Sequence, residues 1–257
     1  MTRVRIPAGA SQKMEINFFE EFPTKKNLEK LKLVDFKTKI YVAAKNLKQF
    51  YAIKRKIKKL SKNVKKIIYW LTLNKKDGYW ISPFSRRKAL KKAFEEIKNK
   101  KDKNVDVMLD LEPPYNKNLF LSELLNFFRN RKLIKNFIEE YKRVICAELS
   151  YLGIFWQLLG LSYKSQKKVS MYYSSVSPMP RYESEAELDN LCEQNSRTAI
   201  GLGCIAVGIS GKTPLFKNKE ELDRDLSILK GNKIKEAVIF RLGGLNKEYL
   251  EIIKKYL

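Results

Sequence analysis

From Met14 onward, short apolar runs rich in Val, Ile and Leu alternate with amphipathic helical patterns, and this alternation constrains the fold more than any other feature. The strand-like runs fall near Glu15–Phe19, Lys39–Ala44, Lys66–Leu71, Val105–Leu111, Arg143–Leu149, Lys168–Tyr173, Ala199–Val207 and Ala237–Leu242. Helical patterns follow them, among them Lys45–Leu60, Leu119–Tyr141, Glu183–Asn195, Lys219–Leu229 and Lys247–Tyr256. Near-continuous apolar strands bounded by helices predict parallel strands covered on both faces. An open doubly wound sheet would carry a glycine-rich first turn, whereas the first turn here reads Phe19-Glu-Glu-Phe-Pro23. Eight strand–helix units in 257 residues fit a single-domain α/β fold, the (β/α)8 TIM barrel. The boundaries expected are a tail over residues 1–13 and a barrel over 14–257.

Charge and composition narrow the chemistry. The chain has 53 Lys and Arg against 28 Asp and Glu, a formal charge of +25. Its basic runs, such as Lys54-Arg-Lys-Ile-Lys-Lys59, are interrupted by apolar residues at helical spacing, as on the wet faces of amphipathic helices. Weak, non-specific polyanion binding is the expected consequence. The absence of histidine excludes His-dependent triads, imidazole relays and the usual zinc sites. Acid/base work therefore falls to carboxylates, tyrosine, lysine or cysteine. Cys146, Cys192 and Cys204 are far apart in apolar contexts without CxxC spacing, and read as buried reduced thiols. The first residues lack the apolar core of a secretory signal, and no apolar run approaches 18 residues. A cytoplasmic protein without a membrane partner is expected.

The run Asp106-Val-Met-Leu-Asp110-Leu-Glu112-Pro-Pro is the strongest chemical signal. Strand side chains alternate, so Asp106, Met108, Asp110 and Glu112 share one face. A buried strand tipped with Asp-x-Glu is poor core material and good material for an acid/base site at a barrel mouth. The other strand tips offer Glu20 and Glu21, Tyr69 and Trp70, Glu148, Tyr172 and Tyr173, and Arg241. Such a mouth, rich in carboxylates and aromatics, suits sugar hydrolysis, in which an acid protonates the leaving oxygen and another group stabilises the oxocarbenium-like centre. The loop containing Asp77-Gly-Tyr-Trp80 supplies Tyr79 and Trp80, and Tyr115 follows strand four; these three are expected to wall the cleft. Trp70 and Trp156 read as packing residues. Glu112 is the expected acid, its ionisation disfavoured by Asp110.

Two segments resemble the chitinase-like family-18 glycoside hydrolases. Met108-Leu-Asp110-Leu-Glu112 is similar to the end of that family's Asp-x-x-Asp-x-Asp-x-Glu motif, and Met171-Tyr-Tyr173-Ser174 to its Met-x-Tyr-Asp segment. The resemblance implies that Glu112 is the proton donor, that Asp110 orients a substrate acetamide, and that Tyr173 hydrogen-bonds that acetamide. Val105 and Met108 stand where the motif's first aspartates belong, and Ser174 replaces the later one. A two-carboxylate mechanism with Glu21 or Glu148 as the second group stays open.

Other readings compete. Strand seven, Ala199-Ile-Gly-Leu-Gly-Cys204, leads into Gly208-Ile-Ser-Gly211, and strand eight ends in Arg241-Leu-Gly-Gly-Leu245. Glycine-rich turns after strands seven and eight are where barrels cradle phosphate, and glycine within the strands can instead relieve crowding in the barrel. A phosphate-substrate isomerase or aldolase is that alternative. A divalent cation on Asp110, Glu112 and Glu148 is a further one, and a non-catalytic barrel binding carbohydrate or nucleic acid a third. The expectation that follows is a glycoside-hydrolase-like barrel without cofactor or metal. Catalysis falls to Glu112, Asp110 and Tyr173, and carbohydrate binding to Tyr79, Trp80, Tyr115, Glu21, Glu148 and Arg241. Oligomeric state has no signal in the sequence.

Overall fold

The computed structural model describes residues 13–99, 104–149, 153–176, 180–195 and 198–257. Residues 1–12 of the expected tail and 177–179 of the Pro-rich loop after strand six lie outside the described residues. Eight parallel strands close into a barrel in sequence order. They are β1 Glu15–Glu20, β2 Thr38–Ala44, β3 Val64–Leu71, β4 Val107–Leu111, β5 Val144–Leu149, β6 Lys168–Tyr172, β7 Ala199–Gly203 and β8 Glu236–Phe240. The β1–β8 pairing, from Glu15 beside Glu236 to Phe19 beside Phe240, seals the ring.

Helices run back between the strands: α1 Lys25–Glu29, α2 Leu47–Leu60, α3 Arg87–Lys98, α4 Leu119–Ser122, α5 Phe127–Glu140, α6 Gly153–Leu158, α7 Arg181–Gln194, α8 Lys219–Gly231 and α9 Lys247–Lys254. Asn46, Asn218 and Asn246 cap α2, α8 and α9 by accepting from backbone amides of the first turn. The apolar stripe of α2, Leu47, Phe50, Ile53 and Ile57, is buried, as its helical spacing requires.

Strand parity divides the core in two. One set of side chains, such as Leu109, Leu111, Cys146 and Tyr172, packs outward with the helices. The other, including Phe19, Tyr41, Trp70, Met108, Met171 and Phe240, fills the barrel. At the N-terminal end the filling turns ionic. Asp106 meets Arg143 at 2.8 Å and Lys66 at 3.0 Å, and Glu236 meets Lys39 at 2.8 Å.

Three expected elements differ. The helix predicted over Leu119–Tyr141 is broken, because Glu123 is buried and accepts from the Asn126 amide group at 2.9 Å, with a longer contact from the Arg87 amide. A 3-10 turn at Leu124–Asn126 separates α4 from α5. β7 stops at Gly203, where Cys204 N–H leaves the ladder for Ser175 Oγ at 2.8 Å. β8 stops at Phe240, after which Leu242–Gly244 form a 3-10 turn. Among the described residues, no helix is long and apolar enough to cross a membrane.

Candidate active site

Parity along β4 places four residues on the inner face, as their spacing requires. Asp106 lies low, bound to Arg143 and Lys66; burial opposes its charge, but these two cations prevail and hold its carboxyl below the usual range. Met108 fills the barrel, and Asp110 and Glu112 line a cavity of about 200 Å³ at the C-terminal mouth. Glu21, one residue beyond β1, enters the same cavity. Its apolar wall includes Phe19, Trp70, Trp80, Met171, Tyr173 and Phe240, and among the described residues no lysine or arginine lines it.

Three acids in an apolar cavity resist ionisation. Glu112 is pushed up to about 7, by burial first and the charge of Glu21 next, with the hydrogen bond to Asp110 acting in the opposite sense. Asp110 is pushed well above the ordinary range by burial, then by Glu112 and Glu21. The low dielectric penalises a doubly charged pair, so both carboxyls are displaced above the ordinary carboxylate range. Glu21 also rises to about 7 through burial, partly opposed by Tyr79 and the Ile209 amide. Among the described residues, Asp110 Oδ1, Glu21 Oε2 and Trp70 Nε1 are buried without a hydrogen-bond partner, although Trp70 stands near enough to favour the Asp110 carboxylate. Buried polar atoms of this kind are rare in native interiors and await a ligand or water. The Tyr173 hydroxyl donates only to the thioether of Met171, at 3.1 Å, which is a weak acceptor.

The loop after β3 is a built support. Ile81 N–H donates to Asp110 C=O at 2.9 Å, tying the loop to the end of β4. Ser85 Oγ donates to Trp80 C=O at 2.9 Å, and Asp77 pairs with Arg86 at 3.3 Å. Tyr79 adopts φ +64°, uncommon for a bulky residue, and faces Glu21 from behind the cavity wall. Trp80 lines the cavity, with Tyr79 at 5.4 Å on one side and Tyr115 at 6.1 Å on the other. Of the three expected wall residues, therefore, Trp80 forms the wall, Tyr79 backs Glu21, and Tyr115 stands at the outer rim under Lys75.

Two expected site residues are elsewhere. Glu148 shares the outward parity of Cys146 in β5; it binds Ser162 Oγ, Tyr163 N–H and Lys168 Nζ at 2.8, 3.0 and 2.9 Å. It ties down the β5–β6 connection instead of facing the cavity, which also dissolves the proposed cation set of Asp110, Glu112 and Glu148. Arg241 pairs with buried Glu20 at 3.0 Å and donates to Val207 C=O at 3.1 Å, so it clamps β8 to β1 outside the cavity.

The glycines of β7 serve packing. A Cβ on Gly201 would come within 3.1 Å of Met171, and one on Gly203 within 2.9 Å of the Tyr173 ring. Gly243 N–H, a candidate phosphate donor, is already held by Glu20 at 2.7 Å. Cavity residues that the sequence reading missed are Trp70, assigned there to packing, and Cys204, whose thiol burial pushes up to about 12. Inward parity on β3 was the available signal for Trp70. Cys146 and Cys192 are also buried and free.

Fold and site together define a (β/α)8 barrel with an acidic, aromatic mouth. A xylose isomerase domain protein from Planctomyces limnophilus is similar over 94% of this chain and 93% of its own, with a TM-score of 0.51 and 9% identity. A GH5-4 broad specificity endoglucanase from Clostridium longisporum matches 91% of this chain and 87% of its own, with a TM-score of 0.50 and 11% identity. At such identities the likeness is one of fold. No protein-family model and no curated protein matches the sequence.

Proposed function

We propose that the chain is a glycoside hydrolase, with Glu112 as general acid and Asp110 and Tyr173 as its partners. The observation that carries this reading is the Asp110–Glu112 pair at the head of an aromatic cavity that no lysine or arginine lines among the described residues, with burial raising both carboxyls. Glu112 retains a proton near neutrality and delivers it to the glycosidic oxygen as the C–O bond breaks. The electron pair of that bond leaves with the oxygen, and positive charge develops at the anomeric carbon. The unpartnered Asp110 Oδ1 and the weakly engaged Tyr173 hydroxyl suit the N–H and C=O of a 2-acetamido group. That acetamide oxygen would capture the anomeric carbon, as the likeness to family-18 hydrolases implies. Trp70 and Trp80 offer faces on which a pyranose can stack. The endoglucanase of similar fold is a hydrolase of glycosides by its name, in keeping with this chemistry.

A second mechanism draws on Glu21, whose Oε2 is also unpartnered and faces the same cavity. Glu21 would then act as nucleophile or base. A phosphate substrate is disfavoured, since among the described residues no cation lines the cavity, and Gly243 N–H is occupied.

The test is turnover of chitooligosaccharides beside non-acetylated β-glucosides by Glu112→Gln, Asp110→Asn and Glu21→Gln. Glu112→Gln should lose about 10²–10⁴-fold in kcat, the usual worth of general acid catalysis. Selective hydrolysis of the acetylated substrates, with Glu21→Gln active, supports acetamide participation. Loss of activity in Glu21→Gln together with hydrolysis of plain glucosides supports two carboxylates. Full activity in Glu112→Gln would sink both.

A further inference from the structure

Nine large apolar side chains stand exposed among the described residues, and all nine lie in segments that leave the C-terminal end of a strand. All of them but Leu158, which closes α6, stand in the loops and first helical turns after a strand and so fall towards the mouth end of the barrel. Four are close together: Leu121, Leu124, Leu125 and Phe128 are 84%, 57%, 94% and 78% exposed. Folding does not ask this of them, since Leu119, Ile134 and Phe137 already supply the buried faces of α4 and α5. The break held by Glu123 turns the leucines outward. Large apolar side chains clustered in water mark an interaction surface.

Charge identifies the partner. Between Lys117 and Lys135 the sequence has five cations, and its one acid, Glu123, is buried. Lys117, Arg129 and Lys132 are exposed around the leucines. A second copy of this chain would bring an equally basic rim and another +25 charge against the first. Nucleic acid would use the cations but gain nothing from leucines, which cannot stack on bases as aromatics do. Aliphatic side chains ringed by cations match the boundary between acyl chains and anionic headgroups.

We propose that the mouth end of the barrel docks on an anionic lipid bilayer. Leu121, Leu124, Leu125 and Phe128 enter the acyl boundary while Lys117, Arg129 and Lys132 meet the headgroups. The expectation of no membrane partner rested on the lack of a long apolar run, and interfacial docking needs no such run. Tyr115 links this rim to Trp80 of the cavity, so docking sets the candidate site beside the headgroups. The proposal is independent of the chemistry at Glu112.

Sedimentation of the full chain with phosphatidylcholine vesicles, with and without phosphatidylglycerol, tests it. Binding is expected only to the anionic vesicles, weaker at about 1 M than at about 0.15 M salt. The double variant Leu121→Ser/Leu125→Ser should bind about tenfold or more weakly, because exposed leucines gain only by leaving water. Its hydrolysis of a soluble glycoside and its melting curve should not change. Leu125→Trp, tested separately, should show blue-shifted emission on the anionic vesicles and quenching by lipids brominated in the acyl chains. No vesicle binding, equal binding by the leucine double variant, or an unshifted Leu125→Trp spectrum would overturn the proposal. So would a dimer in solution that the double variant abolishes, which would assign the patch to a second copy.

Discussion

Glu21, Asp110 and Glu112 face one cavity that no cation lines among the described residues, so their protonation is coupled to both stability and turnover. Glu21 and Glu112 have folded-state values raised from 4.5 to about 7. A group raised in this way favours the folded state below its unfolded value and loses that contribution as pH climbs through the folded one. The native protein should therefore lose stability between about pH 4.5 and pH 7 from these two groups. Glu112→Gln, which stays neutral, should melt close to wild type at about pH 5 and higher than wild type at about pH 8, with a gain on the order of 1–3 kcal/mol. Urea titrations at the two pH values measure this; a variant less stable at the higher pH would mean that Glu112 is charged and held by a partner. Turnover should follow the same proton, falling above about pH 7 as the acid ionises. A pH–rate profile flat through that range would separate Glu112 from proton delivery.

At the scale of single elements, β4 and β7 show how much of the site was legible. The inward side of β4 was readable because its polar residues, Asp106, Asp110 and Glu112, all fall on one parity, with only Met108 apolar among them. β5 has apolar residues on both faces, Val144 and Cys146 outward with Ile145 and Ala147 inward, so its pattern did not show which way Glu148 pointed. Arg241 lies beyond the last ladder pair, where alternation no longer applies. Trp70 was taken for packing because an indole suits either role; only the neighbouring Asp110 and the unpartnered Nε1 distinguish them. The break before α5 was invisible because its cause, the buried carboxylate of Glu123, depends on Asn126 and on Arg87 of another helix. The β7 glycines were read as phosphate ligands or as relief of crowding, and their geometry favours the latter. Gly203→Ala would set a methyl within 2.9 Å of Tyr173 and 3.2 Å of Phe240. Overpacking of this kind costs about 1–3 kcal/mol. Because Tyr173 is the group displaced, the substitution should lower kcat more than it raises KM. Wild-type kinetics in a Gly203→Ala protein would remove Tyr173 from the mechanism.

Across the whole molecule, acids and bases are unevenly placed. Among the described residues no salt bridge reaches Asp110 or Glu112, and Arg241 serves Glu20 beside them, whereas Asp106 at the opposite end has two cations, Arg143 and Lys66, and is held below the usual carboxylate range. A lowered value stabilises the fold above the unfolded value near 3.8 and is lost as pH falls through the folded one. Asp106→Asn should thus destabilise the barrel at neutral pH by about 2–4 kcal/mol, since it strands two cations, while KM at the distant mouth stays unchanged. A melting curve and a Michaelis plot check the two halves, and a large rise in KM would show that the ends communicate. Much of the remaining positive charge is a coat on helix faces, as on α2, where Phe50 and Ile57 are buried while Lys48, Lys56, Lys58 and Lys59 are exposed or partly so. Charge spread in this way attracts any polyanion without a fitted groove. A sulfated glycan and single-stranded DNA should bind comparably at low salt and both release near physiological ionic strength, because each neutralised anion frees counterions. Titrating both at two salt concentrations reads the slopes directly. Similar steep slopes mean a diffuse coat, and a salt-resistant complex with DNA alone would mean a focused site and turn the function towards nucleic acid.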